Sequence, residues 1–528
     1  MQVTLLTTTF SKINLGVRYI SSYLRHRGYR VQIIFLRPDD ESDKEMFSAA
    51  VGEQISRLAK DSVFYGISLF TLDLNEARKA TDMLRASDNK PVIWGGMHAI
   101  LEPEECIKYS DIVCIEEGEK AMAELLDAIE RKYDYSRIEG LWVKCGAEVV
   151  KNPMRSMESD LDNYGFPDFS LEDKWIVKGG KVLPLTMDMV KESPQHFGYS
   201  HIQELFSEKI YMYVAIASRG CPHRCTYCSN AYFLDIIKGK GKPLRFKSID
   251  CFIKELENIK ISYPFLNAIN IYDDDFFARP VSEIERFSDE YKKKIGLPFC
   301  CMISPWSYDA RKVEILLNAG LVHAQLGVQS ASERVNSEIY NRRISNKKIS
   351  EVINGLDFYK KSGRLKSYMV DIILDNPYET IDDQHETLKF FAKLPQDVRT
   401  QSFSLVFYPK TALTEKALKD GIITRDDMSS GKLMSKDQNL GINNYTYYEF
   451  LMTFRRFIPS PLFKIFIKRG LFLFLKKPMF NRFFLFLHRN RKNEKIIAVW
   501  KKAIEPVFSM SFRNYKHIKI NARRGVIK

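Results

Sequence analysis

The chain has 528 residues, 45% hydrophobic and 28% charged, a composition that excludes a disordered or fibrous protein and leaves room for about three domains. The formal net charge is +14, yet residues 451–528 alone hold 20 Lys and Arg against 2 Asp and Glu, leaving residues 1–450 at −4. A basic surface spread over the whole body is therefore excluded, and no nucleic-acid partner is expected.

The opening stretch MQVTLLTTTF lacks a basic segment followed by a long apolar one, so no secretory leader is expected and a reducing, cytoplasmic setting fits the cysteines. Residues 1–150 alternate strand and helix patterns. VTLLTTT, VQIIFL, VFYGISLF, PVIWGG and DIVCIEEG read as strands, and LGVRYISSYLRHRGYR, NEARKATDMLRAS and KAMAELLDAIE as helices. This order predicts a doubly wound, Rossmann-like parallel sheet with its ligand beyond the carboxyl ends of the strands. Those ends carry Ser68 and Thr71, Gly95 and Gly96, then Glu117, Gly118 and Glu119.

Residues 151–210, rich in turn formers and aromatics, read as a connector. A second βα series fills 211–430: YMYVAIAS, LNAINIYDDDF, FCCMISP, LVHAQLGVQS, KSYMVDIILDNP and TQSFSLVFYP are strand candidates with helical patterns between them. Six units are too few for an eight-unit barrel and predict a partial (β/α)6 barrel of TIM type. Residues 431–528 form a basic, aromatic-rich region expected to be helical. In GLFLFLKKPMFNRFFLFLHRN the apolar runs are five residues long, too short to span a bilayer, although Phe and Leu interleaved with cations suit peripheral contact with an anionic membrane.

SRGCPHRCTYCSN places Cys221, Cys225 and Cys228 in one loop directly after a strand, while the other six cysteines are scattered. Three thiolates can hold three irons of a 4Fe–4S cube and leave the fourth open to a small molecule, whereas a closed electron-transfer cluster takes four. Arg219, His223 and Arg224 favour the thiolate form. The alternative is a zinc knuckle with His223 as fourth ligand.

CPHRCTYC resembles the cluster loop of the radical S-adenosylmethionine superfamily, with Tyr227 as the aromatic before the third cysteine. The resemblance implies an open iron chelated by S-adenosylmethionine, whose reductive cleavage gives a 5′-deoxyadenosyl radical. It also implies a small-molecule substrate and an electron donor such as flavodoxin or ferredoxin. Gln329, Ser330 and Glu333, at a strand end in GVQSASERV, join Tyr227 as expected S-adenosylmethionine contacts. Asp273, Asp274 and Asp275 in IYDDDFF read first as a capping or loop cluster, and Arg342 and Arg343 as a solvated face. DIILDNPYET carries Asp375 and Asn376 where the superfamily often has small residues.

LGVRYISSYLRHRGYRV, GISLFT, VIWGGMHAILEPEE and DIVCIEEGE together resemble the cobalamin-binding domain that precedes many of these enzymes. Ser68, Thr71, Gly95, Gly96, Glu117 and Gly118 are its expected cobalamin contacts. DxHxxG is absent, so no strong protein ligand to cobalt is expected, and His98 reads as a loop residue. The two resemblances imply methylation of an unactivated carbon. A cyclase or rearrangement enzyme and a non-catalytic iron–sulfur or corrinoid sensor are the alternatives. A methylthiotransferase would need a second cluster, and Cys106, Cys114 and Cys145 read as packing cysteines.

Overall fold

In the computed structural model the first 184 residues build a nine-stranded sheet of order β7-β6-β5-β4-β3-β1-β2-β8-β9. The structure describes residues 1–8, 14–36, 45–192, 202–203, 205–430, 433 and 442–489; the basic stretch 490–528 lies outside them. The strands are β1 (Gln2–Thr7), β2 (Arg30–Phe35), β3 (Ser62–Ser68), β4 (Val92–Gly95), β5 (Ile112–Cys114), β6 (Leu141–Cys145), β7 (Glu148–Lys151), β8 (Lys174–Lys178) and β9 (Lys181–Pro184). β1 to β5 and β8 run parallel, and β6, β7 and β9 are added at the two edges through antiparallel pairings.

Side-chain alternation decides which layer each residue serves. Val3 and Leu5 of β1 join the core that packs helices Leu15–Arg25 and Gly118–Glu130, while Leu6 faces the core of helices Ala49–Leu58 and Leu74–Ser87. β1 lies between β2 and β3, so the strand order reverses there and opens a crevice at their carboxyl ends. The segment expected as a connector contributes β8 and β9. Their turn is Gly179-Gly180 with both φ angles positive, +56° and +69°, which suits glycine in a tight hairpin.

The second sheet has six parallel strands in sequential order: β10 (Met212–Ala215), β13 (Ala268–Ile271), β14 (Phe299–Ile303), β15 (Leu321–Gln329), β16 (Ser367–Leu374) and β17 (Arg399–Ser404). β11 (Ser218–Arg219) and β12 (Arg245–Phe246) form a short antiparallel ribbon beside it. Helices including Ile249–Ser262, Val281–Lys294, Asn346–Lys361 and Ile381–Phe391 separate the strands, as a partial barrel requires. Ile202, Met212, Ala268 and Cys300 pack together at the amino-terminal end of the barrel.

The last described part is helical, as expected: Ile442–Phe454, Ser460–Phe466, Arg469–Leu475 and Asn481–Arg489. Buried Arg455 joins it to the barrel, donating to Phe391 O (2.7 Å), Leu394 O (2.8 Å), Pro395 O (2.9 Å) and Gln396 O (3.2 Å). These carbonyls follow helix Ile381–Phe391, where the last turn leaves acceptors without intrahelical partners and the dipole favours a cation.

Candidate functional site

The three cysteines lie in the loop between β11 and helix Ser229–Ile236, with Cys221 buried and Cys225 and Cys228 half-buried. Glycine is required at 220: φ is +88° and a Cβ would stand 2.0 Å from Pro243 O. Cys228 N donates to Cys225 O (3.1 Å), and Thr226 N to Tyr340 O (3.1 Å). The Tyr227 ring meets Tyr340 edge-on at 4.9 Å, and its hydroxyl accepts from Arg342 Nη1 (3.2 Å). Arg342 is thus buried against the loop, not part of a solvated face.

Asp273, Asp274 and Asp275 brace three separate points of this loop. Asp273 accepts from Ala217 N (2.6 Å) and Ser218 Oγ (2.8 Å). Asp274 accepts from Asn230 Nδ2 (2.9 Å), and Asp275 meets His223 Nε2 at 2.9 Å and the Ser307 hydroxyl. The loop-cluster reading is therefore the structural one. His223 Nε2 is held by Asp275, so only Nδ1 of that ring could serve a metal. The three thiols share this one braced loop, although among the described residues no three metal-ligating side chains are already gathered around a common point.

A cavity of about 300 Å³ opens at the crevice of the first sheet. Ser68, Gly95, Gly96, Glu117 and Gly118 line it, as does Cys114. Gly96 has φ +98°, and a Cβ there would come within 2.7 Å of Leu69 O. Met97 and Ile100 reach the cavity, whereas His98 turns to Thr71, its Nδ1 3.2 Å from the hydroxyl. Thr71 therefore supports the neighbouring helix and does not line the cavity. Burial pushes the His98 imidazole down to about 4, so it is neutral near pH 7. A mostly apolar recess with backbone-only glycine walls fits a nucleotide-sized portion of a corrinoid.

The barrel supplies the far wall through Ile216, Ser218, Arg219 and Lys247. Arg219, two residues before Cys221, pairs with Glu119 (2.5 Å) and Glu117 (3.3 Å) at the start of helix Gly118–Glu130. Glu117 also accepts from Arg245 Nη2 (2.6 Å) and Tyr164 OH (3.0 Å). Burial raises the Glu117 carboxyl, but the Arg219 and Arg245 guanidiniums outweigh it and hold it down at about 2. Its carboxylate thus bridges the two halves of the chain at a residue that also lines the cavity. Lys247, Tyr19, Tyr213 and Glu255 continue this buried network.

The remaining expected contacts diverge. Gln329 ends β15 with φ +70°. That left-handed turn directs Ser330 inward, where its hydroxyl accepts from Ser332 N (3.1 Å) and lies 3.5 Å from Thr387 Oγ1. Glu333 is exposed and accepts from Asn346 N (3.4 Å). Both side chains are engaged by neighbouring barrel segments. Asp371 carries no motif signal. Val370, Ile372 and Leu374 of β16 belong to the core, so Asp371 between them faces the barrel interior. Gln325 Nε2 donates to its Oδ2 (2.8 Å), its Oδ1 has no hydrogen-bond partner among the described residues, and burial pushes the carboxyl up to about 7.

Comparison with known proteins places two families on these two halves. Residues 1–126 match the B12 binding domain and residues 216–391 the radical SAM superfamily. An uncharacterized methyltransferase of Pyrococcus horikoshii is 24% identical over 416 residues, covering 78% of this chain and 79% of that protein. Cytidylyl-2-hydroxyethylphosphonate methyltransferase of Streptomyces wedmorensis is 21% identical, covering 64% and 65%. Among solved structures, the cobalamin-dependent S-adenosylmethionine radical enzyme OxsB superposes with a TM-score of 0.63 at 14% identity, over 100% of this chain and 81% of that one. The radical S-adenosylmethionine methyltransferase TsrM of Kitasatospora setae gives 0.58 at 15% identity, over 80% and 76%.

A corrinoid-type sheet joined to a partial barrel with a three-cysteine loop defines a radical S-adenosylmethionine enzyme with a B12 domain in front. The chain thus carries a B12 binding domain followed by a radical S-adenosylmethionine domain, and its cofactors are a 4Fe–4S cluster, S-adenosylmethionine and cobalamin.

Proposed function

We propose that the enzyme transfers a methyl group to an unactivated carbon of a small molecule, with Cys221, Cys225 and Cys228 as the cluster ligands. The supporting observation is the shared wall: Ile216, Ser218 and Arg219 run into the cysteine loop and also line the cavity of the B12 domain. When bound, the cofactors supply a 5′-deoxyadenosyl radical for hydrogen abstraction and a methyl group for the resulting carbon centre.

The chain's own residues position and enclose. Ser68, Gly95, Gly96 and Gly118 form the seat for the corrinoid. The Arg219 and Arg245 bridges to Glu117 and Glu119 fix the distance between that seat and the cysteine loop. Tyr227, propped by Arg342, supports the loop from below. Asp371 and Gln325 present a polar patch on the barrel's inner face, where a substrate hydroxyl or amine can dock.

The test is anaerobic reconstitution with iron, sulfide and hydroxocobalamin, followed by incubation with a low-potential reductant such as titanium(III) citrate, methyl-deuterated S-adenosylmethionine and metabolite extracts. The wild type should form 5′-deoxyadenosine and a product that retains the labelled methyl, and Cys225→Ala should form neither. 5′-Deoxyadenosine without labelled product would replace methylation by cyclisation or rearrangement. No nucleoside from a cluster-loaded sample would point to a sensor.

A further inference from the structure

From residue 450 to residue 489 the sequence contains nine Lys and Arg and no Asp or Glu. Three consecutive helices, Ser460–Phe466, Arg469–Leu475 and Asn481–Arg489, occupy most of it. Their inner sides rest on one platform. Tyr447 packs on Phe472 at 5.7 Å and on Phe484 at 4.7 Å, and His385 Nε2 donates to Ile467 O (2.7 Å). Their outer sides expose Ile465, Leu473, Phe474, Phe483 and Phe486, and the turn between the last two helices exposes Met479, 74% accessible. Lys464, Lys468, Lys477 and Arg482 are exposed among them. Lys477 sits over the Phe474 ring at 5.4 Å, while Arg469 pairs with Asp382 at the margin.

Monomeric proteins rarely leave so many large apolar side chains together in water. We infer that this face seats on an anionic lipid surface, the aromatic side chains entering the headgroup layer and the cations meeting the phosphates. Among the described residues no helix is long and apolar enough to cross a bilayer, so the contact is one of lying on the surface. Charge selects this occupant over two others. A second copy would bring the same cations against these. Residues 490–528 hold 11 Lys and Arg against 2 Asp and Glu and would be repelled likewise. An anionic leaflet is attracted by both stretches.

The test uses the full chain and sedimentation with vesicles, which needs no cofactor and is independent of the methylation reading. The protein should pellet with phosphatidylcholine–phosphatidylglycerol vesicles and stay in solution with phosphatidylcholine alone. Raising the salt should lower binding about tenfold as surface charges are screened. Two sets of surface substitutions, Phe474→Ser with Phe483→Ser and Phe486→Ser, and Lys464→Glu with Lys468→Glu, Lys477→Glu and Arg482→Glu, should each cause a loss of similar size at unchanged melting temperature. If either set lowers the melting temperature, the lipid and salt dependence of the wild type still decides. Equal binding to both vesicles, no binding to either, or a dimer by light scattering that the Phe substitutions split would overturn the inference.

Discussion

Arg219 Nη2 lies 2.5 Å from Glu119 Oε1, across 100 residues of sequence. This contact joins the strand that enters the cysteine loop to the first turn of the helix beside the corrinoid cavity. Glu119 is almost fully buried, so Glu119→Gln removes a charge from a dry ion pair and should cost about 2 kcal/mol, with Glu117 still holding Arg219. Denaturant unfolding checks the stability. Hydroxocobalamin titration should show an affinity about tenfold weaker, because one cavity wall loses its strut.

Asp273 and Asp275 should separate in their effects. Asp273→Ala strands the Ala217 N–H and the Ser218 hydroxyl in a buried place and should cost about 1–3 kcal/mol. Asp275→Ala frees His223 and Ser307, which are half-buried, and should cost less. Both should lower iron bound per chain after reconstitution, Asp273→Ala more strongly. Equal iron loading in all variants would remove the bracing role.

Glu117 predicts an acid limb. Its carboxyl is held at about 2 in the folded chain, below the ordinary glutamate range of about 4.3. A depressed carboxyl stabilises the fold at pH above its unfolded value, and the gain disappears as pH falls toward the folded one. The melting temperature should therefore decline from about pH 4.3 downward, and Glu117→Gln should flatten that limb while melting lower at neutral pH. Thermal unfolding across that range measures both.

Gly96 and Gly95 make a matched pair. Gly96→Ala forces a side chain into a left-handed backbone and against Leu69 O, which should cost about 1–2 kcal/mol and weaken hydroxocobalamin binding. Gly95 has ordinary backbone space, its Cβ position 3.6 Å from Cys114 Cβ. Gly95→Ala should keep the melting temperature and lose corrinoid affinity alone, read by spectroscopic titration.

Both sheets were legible because parallel, buried strands are short apolar runs separated by amphipathic helices. β6 to β9 were missed, although for β8 and β9 KWIVKGGKVLP carries its own signal, a Gly-Gly turn between alternating apolar positions. The cysteine loop, Gly95, Gly96 and Gly118 were legible because motif and strand end coincide in sequence. The Arg219, Arg245, Lys247 and Asp371 roles were not, since their partners lie on distant strands and helices. The direction of Ser330 was not legible, since strand-end position says where a residue sits, while the φ of Gln329 decides which way the next one turns.

The Arg455 clasp has a consequence for how the catalytic half can be dissected. Its guanidinium completes the frayed end of a barrel helix from outside the barrel, so the boundary near residue 430 divides two patterns of sequence without separating two independent folding units. A shortened protein ending there would expose four carbonyl acceptors where the closing element belongs, and its loss of order would begin at the fifth βα unit, far from the cysteine loop.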